Sequence, residues 1–329
     1  MADKDAVAKD YMRNEVIFAD AFNFKIYGGR QVVKPQLLRP LDTTSVALLY
    51  RDDGKSEVIQ RYRDILKLAT IMEDGEAVYL ALGIENQTQM HYAMPVRMMV
   101  YDALFYDEQI RKIGERRQLE GRAYKTRAEF LSNFGADDKL PPIISITVYL
   151  GPERWTAPRS LHEMLAVRDK TTLQYVPDYR MNLLVPSEIA EEDFAKFKSE
   201  LNLALKYIKH SGDDRELESF VWNNPEYRDV TRKTANFVNI MTDSELQFAE
   251  DKERVDMCEA IKGILERGRA EGRAEGRAEG RAEERAVGEE RLMSILAEFV
   301  RDGIVTVSEA AKRAQMTESD FLARMAGKD

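Results

Sequence analysis

The chain has 329 residues, 44% of them apolar, enough to bury one large core or two ordinary ones. Its formal net charge of −9 weighs against a protein that coats nucleic acid non-specifically, since phosphate binding needs local Lys and Arg. A nuclease is not excluded, because a groove is local and metal ligands are acidic.

One cysteine, Cys258, rules out an intramolecular disulfide and suits a reducing compartment. Three scattered histidines, His91, His162 and His210, give no zinc-ligand spacing. The opening residues Met1 to Asp5 are polar, without the core of a signal peptide. No apolar run approaches the length of a membrane span. The expectation is a cytoplasmic chain that makes no contact with a membrane.

In chain order, the pattern first predicts a helix over about residues 8–27. Val16, Ile17, Phe18, Ala21, Phe22, Phe24 and Ile26 alternate with polar residues, and Gly28-Gly29 stops the run. Pro35 and Pro40 mark an irregular segment. A short strand, Val46 to Tyr50, ends at a turn over Asp52-Asp53-Gly54. Two strand-like runs follow, Arg63 to Ile71 and Ala77 to Ile84, around Glu73-Asp74-Gly75-Glu76. This is a hairpin signature. Centring the turn between Asp74 and Gly75 sets Asp64 opposite Glu85. Gln87 then shares the face of Glu85, because strand side chains alternate. Two carboxylates and an amide converging at a hairpin end suit Mg²⁺, which takes hard oxygen ligands and keeps several waters. The same spacing also fits ordinary strand-end carboxylates near solvent.

Pro95 opens a helical pattern reaching about Ile113, with Val96, Met99, Val100, Ala103 and Leu104 on its apolar side. Arg97 and Tyr101, four apart, share one helical face. Residues 111–127 hold Arg111, Lys112, Arg116, Arg117, Arg122, Lys125 and Arg127 against Glu115 and Glu120. They read as a DNA-contacting flap or as a solvated polar loop. His91 reads as a surface residue and Trp155 as core. The β-branched run Ile143 to Leu150, ended by Gly151-Pro152, predicts a strand buried on both faces.

From about Glu188 to Ile261 the pattern is mostly helical, with Phe194, Phe197, Leu201, Leu205 and Ile208 in one stripe. Gly-Arg-Ala-Glu then repeats without a break from Gly268 to Glu283. A period of four drifts by about 40° per repeat and stacks like charges at i+4, and each Gly costs about 1 kcal/mol relative to Ala. The segment is therefore a marginal helix or flexible spacer, or else an oligomerisation helix. In the tail, Leu292, Ile295, Leu296 and Phe299 form a stripe with Gly303 as C-cap. Short helices follow near 308–315 and 318–325, the second capped at Thr317.

The ordered set of motifs resembles the Rpn family of recombination-promoting nucleases, also described as putative transposases of the PD-(D/E)XK nuclease superfamily. Asn14-Glu15-Val16-Ile17-Phe18 with Phe22 is similar to the family's opening acidic-aromatic helix. Asp64 matches its first catalytic aspartate, and Ile84-Glu85-Asn86-Gln87 its Glu-x-Gln motif. Met94-Pro95, Arg97 and Tyr101 match the helix that follows; Leu140-Pro141-Pro142, Val148-Tyr149, Gly151 and Trp155 match a later strand and turn. The resemblance covers most of residues 10–260.

It implies an α/β fold with a restriction-endonuclease-like core, a mixed central sheet flanked by helices, and a largely helical C-terminal half. It also implies a Mg²⁺-dependent DNA endonuclease using one or two ions, with Asp64 and Glu85 as ligands and Gln87 in the site. Glu15 would bind a second ion or orient the water, with Asp20 as its rival. A backbone carbonyl beside Gln87 would complete the shell. Arg97, Tyr101, Arg116 and Arg117 are the candidate DNA contacts.

Two positions depart from the pattern. Ala19 stands where the family often has Lys, and Gln87 stands where the superfamily has its catalytic Lys. Of Lys67 and Arg97 as replacement cations, alternation puts Lys67 on the face opposite Asp64, which favours Arg97.

The expected organisation is a nuclease-like core over 1–165, a mostly helical extension over 166–262, a repeat linker or helix over 263–288 and a helical tail over 289–329. Homo-oligomerisation is expected through the C-terminal region. The competing expectation is a catalytically weak or inactive DNA- or protein-binding module on the same fold.

Overall fold

The computed structural model describes residues 3–42, 44–50, 56–73, 76–248 and 252–326. The turns expected at 52–54 and at 74–75 lie outside the described residues.

The single helix expected over 8–27 is two helices. α1 (Lys4–Arg13) starts earlier, capped by the Asp3 carboxylate accepting from Asp5 N. α2 (Glu15–Lys25) starts afresh, because the Asn14 side-chain oxygen accepts from Val16 N and Ile17 N. A side chain that satisfies the free amides of a new helix ends the old one. Gly28 and Gly29 then adopt positive φ and stop α2 as expected.

The strands are β1 (Arg39–Pro40), β2 (Thr44–Tyr50), β3 (Ser56–Tyr62), β4 (Ile65–Glu73) and β5 (Glu76–Gln87). β2 and β3 form a separate antiparallel ribbon. β3 escaped sequence reading because Glu57, Gln60 and Arg61 break up its apolar pattern. β4 and β5 pair in the expected register, from Ile65 opposite Ile84 to Glu73 opposite Glu76.

α3 (Met94–Leu119) and α4 (Arg127–Ser132) then cross over to β6 (Ile143–Tyr149), parallel to β5. After the short helices α5 (Leu161–Met164) and α6 (Lys170–Leu173), β7 (Asn182–Leu184) pairs parallel with β6. The result is a mixed five-stranded sheet of order β1-β4-β5-β6-β7. Its fifth strand comes from within the segment expected as a helical extension.

Helices flank both faces. Leu66 and Ala81 pack with Phe105 of α3. Lys67, on the alternate face, lies with its Nζ 5.2 Å from the centre of the Phe18 ring of α2.

Asp20, the rival to Glu15, is buried. Its carboxylate accepts from Lys198 N, Ser199 N and Ser199 Oγ, tying α2 to the segment before α7 (Leu201–His210). Phe194, Phe197, Leu201, Leu205 and Ile208 are all buried, as their stripe predicts. α8 (Asp214–Asn223), β8 (Val230–Thr231) and α9 (Arg232–Thr242) follow. Of the helical pattern expected on to Ile261, the described residues 246–248 and 252–256 are not helical, while 257–261 are. Leu246 N and O both bond to the Asn239 side chain, and β9 (Arg254–Val255) pairs with β8.

The chain divides into two compact units, Met1–Ile261 and Lys262–Asp329. α10 (Met257–Arg301) carries the repeats as continuous helix. Arg, Ala and Glu, three of every four residues, are strong helix formers, and they outweigh the glycines. In the second unit Met293 and Leu296 pack with Ala310 and Ala311 of α11 (Val307–Arg313) and Phe321 of α12 (Glu318–Ala326). The expected stripe is only partly right: Leu296 is buried, but Leu292, Ile295 and Phe299 are exposed. Gly303 has the positive φ of a C-cap, and Thr317 Oγ1 accepts from Asp320 N.

Among the described residues, no helix is long and apolar enough to cross a membrane.

One close approach sets the sheet beside the candidate site. The Arg63 guanidinium lies over Gly83, where an added Cβ would overlap its Nη1 and stand 2.9 Å from its Cδ. Arg63 is held by Asp102 and Ser145, so it can give way only by straining those bonds. Gly83→Ala is expected to cost about 2–3 kcal/mol by overpacking; a urea unfolding midpoint equal to wild type would contradict this.

Candidate functional site

Asp64, just before β4, and Glu85, near the end of β5, meet as the hairpin register requires. Each carboxylate accepts from the other's strand. Asp64 N donates to Glu85 Oε2 at 3.3 Å, and Asn86 N donates to Asp64 Oδ2 at 2.9 Å. They line an open cleft of about 460 Å³ together with Asp5, Asn86, Gln87, His91 and Arg97. The cleft lies at the C-terminal end of β5, where parallel strands commonly present a site.

Glu85 is 1% exposed. Burial first, and then the charge of Asp64, push its carboxyl up to about 7; Arg97, the Asp64 amide and Arg63 pull it back. Arg97 Nη2 reaches Glu85 Oε1 at 2.5 Å. Arg97 Nε donates to the Tyr101 hydroxyl at 3.0 Å, and its guanidinium lies 5.6 Å from the Tyr101 ring centre.

The donor set consists of hard oxygens. Besides the two carboxylates, Asn86 Oδ1 is buried without a hydrogen-bond partner among the described residues. Gln87 is less available: its Nε2 donates to Asn86 O at 2.7 Å, and its own carbonyl accepts from Leu150 N. The Asn86 and Gln87 carbonyls, the candidates for the one backbone carbonyl expected beside Gln87, thus each already accept a hydrogen bond. No group of three or more His, Cys, Asp or Glu that could hold a metal occurs among the described residues. The residues fit one Mg²⁺ on Asp64 and Glu85, since Mg²⁺ commonly takes one or two carboxylates and keeps its waters. They do not form a cage for two.

Glu15 is not brought to this pair. It bonds Lys67 Nζ at 2.8 Å, and Lys67 sits on the sheet face opposite Asp64. The Asn14 cap starts α2 over that face, and the bond to Lys67 holds the Glu15 carboxyl below its ordinary value. Asp20 is consumed by its amide contacts.

Tyr101, expected against DNA, is buried and holds Arg97 instead. Arg117 forks onto Asp138, with Nε and Nη2 each 2.8 Å from a carboxylate oxygen. Most of the basic run is similarly engaged: Arg111 with Glu115, Lys112 with Glu108, Arg122 with Glu120 and Lys125 with Asp137. Arg116 is exposed and has no ion-pair partner among the described residues.

Three site residues escaped sequence reading. Asp5 lines the cleft from α1, and Thr88 Oγ1 bonds its carboxylate; no spacing rule links residues 5 and 88. Asn86 lies between two motif residues, and the motif assigns it no role. Arg63 precedes Asp64 and is buried in a polar network with Asp102, Ser145 and Tyr179. His91, read as a surface residue, lines the cleft with its Nδ1 buried and without a hydrogen-bond partner among the described residues. Trp155 is core, edge-on to Tyr149.

Comparison with protein-family models matches residues 55–232, more than half of the chain, to the family described as putative transposase, YhgA-like. No curated protein and no solved structure matches.

The buried Glu85 carboxyl is expected to make stability depend on pH. Its folded value, about 7, lies above the ordinary 4.5. Its contribution is therefore fully present below the ordinary value and is lost as pH rises through about 7. In EDTA, stability is expected to fall between pH 5 and 8 by up to roughly 3 kcal/mol. Urea midpoints across that range check this. Glu85→Gln should flatten the slope, and an equally steep slope in that variant would remove Glu85 as its source.

Proposed function

We propose, from the premise that the chain belongs to the YhgA-like putative transposase family, that it is a Mg²⁺-dependent DNA endonuclease with a restriction-endonuclease-like core. It would act in the cytoplasm, in recombination or transposon-like mobility. The family implies a DNA partner. The observation that carries the reading is the meeting of Asp64 and Glu85 at the mouth of an open cleft.

Asp64 and Glu85 would hold the cation. Mg²⁺ bound there supplies charge neutralisation at phosphorus and lowers the pKa of water. Asp64 Oδ2 is fixed by the Asn86 amide, whereas Asp64 Oδ1 has no hydrogen bond among the described residues, and Asp64 lines the cleft. Gln87 can orient by hydrogen bonding but carries no charge. The cationic role of the superfamily lysine falls to Arg97, the one Lys or Arg among the described residues lining the cleft. Its guanidinium fork suits a phosphate. Arg116, exposed on α3, adds a cation for the DNA backbone.

A second reading, a binding module with weak or no chemistry, draws on Arg97 already occupying Glu85. Plasmid nicking with Mg²⁺ separates the two. Asp64→Ala is expected to lower nicking on the order of 100-fold or more, and EDTA to abolish it. Equal nicking by wild type and Asp64→Ala would sink the assignment.

The exposed Leu292, Ile295 and Phe299 support self-association through the second unit. Changing all three to Ser is expected to lower the mass measured by sedimentation at micromolar concentration. An unchanged mass would count against association through this stripe.

A further inference from the structure

We propose that Arg97 is an exchangeable cation: it satisfies Glu85 until a divalent cation binds, then leaves that carboxylate and is released to contact the DNA phosphate. The inference rests on the reading of Asp64 and Glu85 as a Mg²⁺ site and states how that site is loaded.

Both oxygens of Glu85 are already in use. Oε2 accepts from Asp64 N, and Oε1 pairs with Arg97 Nη2 at 2.5 Å. Each oxygen keeps a second lone pair, but a cation on Glu85 would share the carboxylate with both of these donors, and only one of them can move aside. The Asp64 amide belongs to the backbone at the start of β4 and cannot withdraw without breaking the hairpin end. Arg97 is a side chain on the rim, with 36% of its surface exposed. Its Nε is anchored on the Tyr101 hydroxyl, which leaves the terminal nitrogens free to turn about that anchor.

Charge points the same way. With Asp64 and Glu85 ionised, Arg97 leaves the cluster at a net charge of −1, one positive charge short of neutral. Adding a divalent cation without moving Arg97 would make the cluster net positive and set two cations against one buried carboxylate. At short range and low dielectric that repulsion is strong. Once Arg97 departs, the carboxylates neutralise the divalent cation, and an unpaired guanidinium faces a cleft open to solvent. An anionic phosphodiester is the complementary partner for it. Gln87 cannot compete for this role because it carries no charge.

The consequence is opposite in sign for two measurements. Removing Arg97 clears Glu85, so Mg²⁺ should bind more tightly. It also removes the phosphate contact, so cleavage should fall. A guanidinium that merely supported the fold would weaken both.

The test is calorimetric titration of MgCl₂ into wild type, Arg97→Gln and Asp64→Asn without DNA, beside nicking assays. Arg97→Gln is expected to bind Mg²⁺ about fivefold tighter or more, the lower end of ordinary coupling between sites, while nicking less. Equal or weaker Mg²⁺ binding by Arg97→Gln overturns the exchange, and if Asp64→Asn still loses the metal, the site reading stands. Asp64→Asn binding Mg²⁺ as wild type does overturns the site reading itself. Should Arg97→Gln fold poorly, the Arg97 Nε–H resonance of the wild-type protein decides: it is expected to shift on adding Mg²⁺, and an unchanged resonance at saturating Mg²⁺ overturns the proposal.

Discussion

The candidate site depends on a buried ion pair. Arg63 is 4% exposed, and a guanidinium so far from water must have its donors met inside the protein. Asp102 of α3 takes Nη2 at 2.8 Å, and Ser145 of β6 takes Nη1. Tyr179 and Ser145 bond the same aspartate at 2.6 Å each. One pair thus links the start of β4, the crossover helix, the parallel strand and the segment before β7. Removing one member of a buried pair typically costs about 3–5 kcal/mol, because the other stays charged and unmet. Asp64 is the next residue along the chain. Its position is inherited from that anchor.

Arg63 also connects the anchor to the cleft. Its guanidinium lies 5.3 Å from the Tyr101 ring centre; the Tyr101 hydroxyl holds Arg97, and Arg97 holds Glu85. Two arginines stand in series, one fully buried and one at the rim. The buried one is structural, because its terminal nitrogens are held by Asp102 and Ser145 inside the protein. The rim one has a buried anion on one side and solvent on the other. Gly83 permits the arrangement, since any side chain there would meet Arg63.

Sequence reading was strongest where the chemistry is local. The turn residues and alternation across 64–87 set the β4–β5 register, and that register alone brings Asp64 to Glu85. It also placed Lys67 on the opposite face. Reading failed where a polar side chain acts against the local pattern. Asn14 looks like one more polar residue in an amphipathic helix, yet as a cap it splits that helix in two and turns Glu15 toward Lys67. Leu292, Ile295 and Phe299 look like a core stripe. The buried face is shifted by one residue, because α11 and α12 approach along Met293 and Leu296. The basic run around Arg117 fits either a DNA-contacting flap or a solvated polar loop by sequence, and Asp137 and Asp138, beyond its end, neutralise part of it.

By itself the sequence determined the hairpin register, the pairing of two carboxylates, the strand that follows the crossover and the family. Each follows from spacing, alternation or an ordered set of motifs within short reach along the chain. Only the tertiary structure decided which acids stay apart and which carboxylate each cation meets. Glu15 pairs with Lys67, Asp5 arrives from α1, and Arg97 closes on the buried Glu85. Those outcomes depend on which faces of distant elements pack together and on where burial leaves a charge unpaired, and no spacing along the chain encodes either.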